Sequence, residues 1–259
     1  MGRRALLELL RHAPERILQV FVAEPGPASG SAAEASARAA ASGSAGRQEI
    51  LDALRARGLE LRPLPREQLD ELCGSTSHQS FAARVRRPPP ATLKEFIAAQ
   101  AGARFSLVLM ADSVYDPQNL GALMRAAECF GAAAMVWSRN RGCGLTPVVT
   151  KASVGASELL DLIEVSNLAD AIRRFKDAGY WIVAADMDPQ AEDLQTFQFP
   201  AHTVLVMGSE GSGLRELTRR SADSLVRIVT PGRIGSLNVS QATAVILHRI
   251  AQVWEASSI

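Results

Sequence analysis

Cysteine is scarce in this chain of 259 residues: only Cys73, Cys129 and Cys143 occur, no two of them form a CxxC pair, and the four histidines stand singly. Neither a disulfide framework nor a zinc site is offered, so no metal is expected. No apolar run approaches the roughly 18 residues that a membrane-spanning helix needs. The opening Met1-Gly2-Arg3-Arg4 leads into an amphipathic pattern instead of a signal-peptide core. No membrane partner is expected, and the expected location is the cytoplasm. The anchors of several enzyme classes are missing too. There is no G-x-x-x-x-G-K-S/T loop, no G-x-S-x-G elbow and no H-E-x-x-H, which leaves P-loop, serine-hydrolase and zinc-protease chemistry without support.

What is present is ordinary globular composition, 47% hydrophobic and 21% charged, enough for one large or two small domains. The net charge of +1 is unevenly spread. Residues 1–104 hold 15 basic and 11 acidic groups, whereas residues 105–259 hold 13 and 16. The amino-terminal part is the better candidate for contact with a polyanion, although a split of this size is common on solvated surfaces.

Apolar spacing predicts a helix around Leu6 to Leu10, a strand over 19–24, a helix over 48–57 and strands over 59–64 and 81–86. Residues 25–47 are almost entirely Ala, Ser, Gly and Pro. That composition buries too little apolar surface to offset the entropy of ordering it, and it reads as a flexible insertion. The first domain is therefore 1–87. Arg86-Arg87-Pro88-Pro89-Pro90 and a short helix over 93–100 make a linker, 88–104, before a second domain, 105–259. In that domain strands over 105–111, 133–138, 180–186 and 203–207 alternate with helices over 119–130 and 167–178, and a long helix from about Leu237 to Glu255 ends the pattern. Such alternation means an α/β fold with a mostly parallel sheet, whose ligands bind beyond the carboxyl ends of the strands.

Three segments sit at such strand ends. In the first, Asp116-Pro117-Gln118-Asn119-Leu120-Gly121 breaks a strand and opens a helix, with Asn119 well placed as its cap. Arg125 lies well round a regular helix from Asn119, so the two meet one site only if Asn119 belongs to the loop. In the second, Met207 ends a strand that feeds Gly208-Ser-Glu210-Gly-Ser-Gly213-Leu214. Glycines let a ligand approach the backbone, and Glu210 favours a ligand with a cationic or hydroxylated group over a phosphate. The third runs from Ile228 through Pro231-Gly232 and Gly235 to Ser236-Leu237-Asn238-Val239-Ser240, a strand, a glycine turn and a helix whose natural cap is Ser236.

Together, in this order, the segments resemble the SpoU (TrmH-like) family of RNA ribose 2′-O-methyltransferases. N-x-x-G-x-x-x-R matches Asn119, Gly121 and Arg125; G-S-E-G-x-G-L matches Gly208 to Leu214; S-L-N-V-S matches Ser236 to Ser240. The resemblance spans about residues 105–255. The first domain, with Ser77-His78-Gln79-Ser80-Phe81, looks like the ribosomal-protein-like RNA-binding domain of the branch that modifies a guanosine in large-subunit ribosomal RNA. That branch usually has glycine where Ser80 stands, and the family usually reads Ile-Pro-Met where this chain has Ile228-Val229-Thr230. It also often has an acidic or small residue at Gly235.

The resemblance implies a deep trefoil knot in the second domain and S-adenosylmethionine bound bent within it. Met207, Gly208, Ile228 and Leu237 would hold the cofactor, the last two sandwiching its adenine. Asn119, Arg125, Glu210, Ser236 and Asn238 would surround the methyl group and the incoming ribose. A homodimer with an active site completed by both subunits is implied as well. The expectation is therefore an RNA ribose 2′-O-methyltransferase acting on ribosomal RNA. Its rivals are a transfer-RNA enzyme, a non-catalytic ribosome-assembly factor, and an NAD-dependent oxidoreductase, which lacks the opening glycine fingerprint.

Overall fold

A computed structural model describes residues 3–24, 48, 50–73, 76, 78–86, 92–211, 213–233 and 235–257. The insertion expected at 25–47 and residues 88–91 of the expected linker lie outside the described residues. The chain divides into two compact units, Met1–Pro88 and Pro89–Ile259. Among the described residues no helix is long and apolar enough to cross a membrane.

The first unit runs α1 (Arg3–His12), β1 (Ile17–Ala23), α2 (50–55), β2 (Leu61–Leu64), α3 (Arg66–Cys73) and β3 (Phe81–Val85). Its sheet has the order β2-β1-β3, with β1 parallel to β2 and antiparallel to β3. The two-residue period of a strand sends Val20 and Val22 to one face, against Leu6, Leu9 and Leu10 of α1 and Ile50 and Leu54 of α2. Phe21 and Ala23 take the other face, against Leu69 of α3. Helix α3 is absent from the sequence reading because Leu69 is its one buried residue and Leu72 is 51% exposed, which leaves no periodic apolar stripe.

The turn before β3 shows what the departure at Ser80 costs. Gln79 and Ser80 have φ of +53° and +66°, a region in which a Cβ is costly. Buried His78 holds the turn: its Nδ1 accepts from the Ser80 N–H at 3.1 Å, and its Nε2 lies 2.6 Å from Asp70 Oδ1. Because Nδ1 accepts, Nε2 carries the proton and donates to the carboxylate. Replacing Ser80 by glycine removes a left-handed cost of roughly 1–2 kcal/mol, part of which returns as glycine chain entropy. Ser80→Gly is therefore expected to stabilise the unit by about 0.5–1 kcal/mol in urea denaturation. A lowered midpoint would mean that the serine side chain contributes more than the strain it carries.

The second unit begins with α4 (Leu93–Gln100), closed at its start by a reciprocal Thr92–Glu95 capping box. It continues with β4 (Ser106–Ala111), α5 (Pro117–Cys129), β5 (Ala134–Ser138), α6 (Pro147–Ala152), β6 (Asp161–Val165), α7 (Leu168–Asp177), β7 (Trp181–Ala185), β8 (Glu192–Asp193), β9 (His202–Met207), α8 (Glu216–Arg220), β10 (Ser224–Arg227) and α9 (Val239–Ala256). Its seven strands run parallel in the order β6-β5-β4-β9-β7-β10-β8. All six residues of β4 are buried, as a central strand covered on both faces requires. Leu109, Met135 and Leu205 face α5 and α9, while Val108, Val136 and Val204 face α4 and α7.

Chain direction across the sheet reverses beside β4. From there β5 and β6 step one way, while β9, β7 and β10 lie on the other side. That is the switch point at which the carboxyl-end loops leave a crevice.

Candidate active site

Strand register brings the loops together. Ala111 pairs with Met207 at the ends of β4 and β9, so the chain leaves both strands side by side at Asp112 and Gly208. Val226 of β10 pairs with Ala185 of β7, so Asp186 and Arg227, the residue before Ile228, leave those strands side by side in the same way.

The loop after β9 folds on itself. Ser209 and Gly213 exchange two backbone hydrogen bonds of 3.0 Å. A Cβ on Gly208 would lie 2.4–2.6 Å from backbone atoms of Gly213 and Leu214, so the glycine is demanded by the loop's own return as well as by any ligand. At Gly213 the chain takes a φ of +65°.

Two capping expectations are corrected. Asp116, not Asn119, caps α5: its side chain accepts from the Gln118 N–H and Pro117 opens the helix. Asn119 lies within the first turn. Likewise Asn238, not Ser236, caps α9, its Oδ1 accepting from the Ser240 N–H at 2.8 Å. Ser236 sits two residues upstream and exposed.

Freed from capping, the Asn119 side chain joins a polar network. Its Nδ2 donates to Glu210 Oε2 at 3.3 Å, and Asn238 Nδ2 donates to Asn119 Oδ1 at 3.0 Å and to Glu210 Oε2 at 3.1 Å. One residue from each of the three strand-end segments thus meets at a single carboxylate. The cap fixes the Asn238 amide, because an oxygen bound to Ser240 leaves its nitrogen for the other two.

Beside this network opens a cavity of about 470 Å³, within the range of small-molecule sites, about 300–1,000 Å³. Met207, Gly208, Ile228, Leu237, Glu210 and Ser236 all line it. Of the altered tripeptide, Ile228 and Thr230 face the cavity while Val229 is 47% exposed and does not line it. Gly235 lines it as well.

Arg125 stands apart. It is exposed on α5 and, among the described residues, makes no hydrogen bond or ion pair. With Asn119 inside the helix, the condition for the two to reach one site within a chain is not met. Gly121 is explained by packing: a Cβ there would stand 2.4 Å from Ala152 Cβ and 2.7 Å from the Val149 carbonyl oxygen of α6.

Several residues escaped the sequence reading. Asp112 is buried and bound to Arg215. Asp186 lines the cavity and accepts from Arg219 Nε at 2.9 Å, and Asp188 is a second partner of Arg219. These bonds and charges raise the Arg219 pKa, so it stays cationic. The signal for Asp112 was an acidic residue directly after the apolar run 107–111. Nothing in the pattern pointed to its partner. No group of three or more His, Cys, Asp or Glu able to hold a metal occurs among the described residues.

The SpoU rRNA Methylase family matches residues 106–248, and the family "RNA 2'-O ribose methyltransferase substrate binding" matches residues 40–91. The chain is 35% identical over 248 residues to the 23S rRNA (guanosine-2'-O-)-methyltransferase RlmB of Bordetella pertussis, covering 95% of this chain and 94% of that protein. It is 37% identical to the protein of the same name from Ralstonia nicotianae, over 77% and 80% of the two chains. Among solved structures it resembles the SpoU methyltransferase AviRb of Streptomyces viridochromogenes, with a TM-score of 0.73, 19% identity and coverage of 99% and 89%. A second structure of AviRb, in complex with the cofactor AdoMet, gives a TM-score of 0.71. A family match over more than half of the chain, joined to relatives this similar over nearly its whole length, makes this protein a member of the SpoU rRNA methylase family.

Proposed function

We propose that this protein transfers a methyl group from S-adenosylmethionine to the ribose 2′-hydroxyl of a guanosine in 23S ribosomal RNA. The observation that carries the reading is the meeting of Asn119, Glu210 and Asn238 beside the cavity that Gly208, Ile228 and Leu237 line. The cavity fits the cofactor in chemistry: Ile228 and Leu237 offer apolar walls for an adenine, and the Glu210 carboxylate suits a cationic ligand. The bound cofactor supplies a sulfonium-activated methyl group. What remains for the protein is to place the hydroxyl in line and let its proton leave, a positioning task. Ser236 and the Asn119–Glu210–Asn238 network orient the ribose, and Arg125 neutralises the phosphate next to it.

Homodimerisation belongs to the same reading. Arg125 lies on α5 apart from the network, and Gln241, Val245, His248 and Gln252 form an exposed face of α9 without formal charge among them. Depletion of charge is the compositional mark of interface cores. A dimer across these helices would let Arg125 serve the partner's site. The trefoil knot is part of the proposal too, supported by the packing of α5 and α9 on one face of the sheet.

The first unit would bind RNA, supported by its matched substrate-binding family and its surplus of basic residues. Deleting residues 1–88 is expected to leave cofactor binding nearly intact and weaken RNA binding by about tenfold or more, with a lower salt dependence. Unchanged RNA affinity at moderate salt would count against it. The decisive experiment supplies the full chain with labelled S-adenosylmethionine and either 23S ribosomal RNA or transfer RNA, then maps the 2′-O-methyl group. Label in 23S ribosomal RNA guanosine is expected. Label confined to transfer RNA, or no transfer at all, would overturn the proposal.

A further inference from the structure

The loop that carries Glu210 is anchored at its exit by a group that takes no part in the network. Asp112 is fully buried at the end of β4, and its carboxylate accepts three hydrogen bonds. The Arg215 Nε donates to Oδ1 at 2.5 Å, the Arg215 backbone N–H donates to Oδ2 at 3.1 Å, and the Ser113 hydroxyl donates to Oδ1 at 3.0 Å. Its own N–H donates to the Met207 carbonyl at 2.8 Å, so one residue is bonded to the start and to the exit of the glycine loop. Ser113 then turns the chain with a φ of +62°, a strained conformation for a serine. Four residues later Pro117 opens the helix that holds Asn119.

A carboxylate removed from water is costly unless it is fully bonded. Two of the three bonds that Asp112 accepts, both from Arg215, join the segment before Asn119 to the segment after Glu210 across 103 residues of sequence. We infer that Asp112 and Arg215 are positioning residues of the methyl-transfer site: together they clamp the glycine loop so that Glu210 meets Asn119 and the cavity keeps its cofactor-binding shape. Among the described residues, the loop is also held by the Ser209–Gly213 bridge, which moves with it, by the close approach of Gly208 and by the bonds of Glu210 to Asn119 and Asn238. Without the clamp the bridge survives and the loop pivots about Gly208. The inference rests on the reading of the cavity as the S-adenosylmethionine site.

Arg215 is the safer residue to change, because its side chain is 32% exposed whereas Asp112 is sealed. Arg215→Gln removes the guanidinium, and Arg215→Lys keeps a charge near Asp112 without the Nε geometry. The experiment measures, for wild type and both variants, the melting temperature, the calorimetric Kd for S-adenosylmethionine, and kcat and KM for RNA. Expected are a weaker Kd and a kcat lowered by up to about 100-fold in Arg215→Gln, the scale of an ångström-sized misplacement, with partial rescue in Arg215→Lys and unchanged KM for RNA. A folded Arg215→Gln variant with wild-type Kd and kcat would overturn the clamp, whatever its melting temperature. Should Arg215→Gln not fold, Arg215→Lys decides alone: wild-type Kd and kcat overturn the clamp, and a loss in both with RNA KM unchanged supports it. Wild-type protein that binds no S-adenosylmethionine would overturn the cavity reading, and the clamp's role with it.

Discussion

Replacing Arg125 with lysine or alanine is expected to lower methylation turnover by on the order of 100-fold or more, the scale of losing one oriented electrostatic donor, while cofactor affinity hardly changes. A guanidinium keeps its proton at any ordinary pH. It is therefore suited to bind the phosphate beside the target ribose and to stabilise the developing alkoxide, with its forked geometry explaining why lysine should not substitute. Cofactor binding is expected to be spared because Arg125 neither lines the cavity nor bonds to the Asn119–Glu210–Asn238 network. Single-turnover methylation alongside calorimetric cofactor binding tests this. Near-normal rates in both variants would make Arg125 a helix-surface residue. The same variants test the dimer: Arg125→Ala mixed with Glu210→Gln should regain activity if each site draws its arginine from the other subunit, and no regain would place both residues in one chain's site.

The sheet and the site were legible in the sequence to different degrees. Strand β4 was plain because all six of its residues are buried, and α9 because Ile246, Leu247, Ile250 and Val253 repeat at helical spacing on one face. Strand β6 was missed, since only Ile163 of its five residues is buried, as suits the edge of the sheet. Strand β10 was read too late in the chain: it ends at Arg227, and the apolar Ile228 that marked it lies beyond the strand and faces the cavity. The glycines of the second segment were read as ligand-facing, but Gly208 is held to glycine by backbone atoms of its own loop; Gly121, read only as part of the family motif, is held to glycine by atoms of α6. The cap assignments failed for a shared reason. Asp116 and Asn119, like Ser236 and Asn238, are equally able caps by chemistry; which of each pair serves depends on where the helix begins, and the other is left for the site. The convergence of Asn119, Glu210 and Asn238 lies beyond local pattern, because parallel register, not spacing along the chain, brings them together.

Gly208→Ala tests that convergence most directly. An added Cβ would stand 2.4 Å from the Gly213 carbonyl carbon and 2.6 Å from the Gly213 oxygen and Leu214 nitrogen. These are backbone atoms, so no side-chain rotation relieves the contact. The loop must open, which breaks the Ser209–Gly213 pair of hydrogen bonds and draws Glu210 from Asn119 and Asn238. Overpacking of this kind costs about 1–3 kcal/mol. Strand β9 beneath is held by β4 and β7 on either side, so the fold is expected to survive with a modestly lower melting temperature. If the strain is relieved by an open loop that has to close again around the cofactor, the same 1–3 kcal/mol appears as roughly 5- to 150-fold weaker S-adenosylmethionine binding. Gly232→Ala is the comparison, since nothing lies within 4 Å of a Cβ at that position; its affinity is expected to match wild type. Equal cofactor affinity in Gly208→Ala and Gly232→Ala would show that the loop's closed form is not the one that binds.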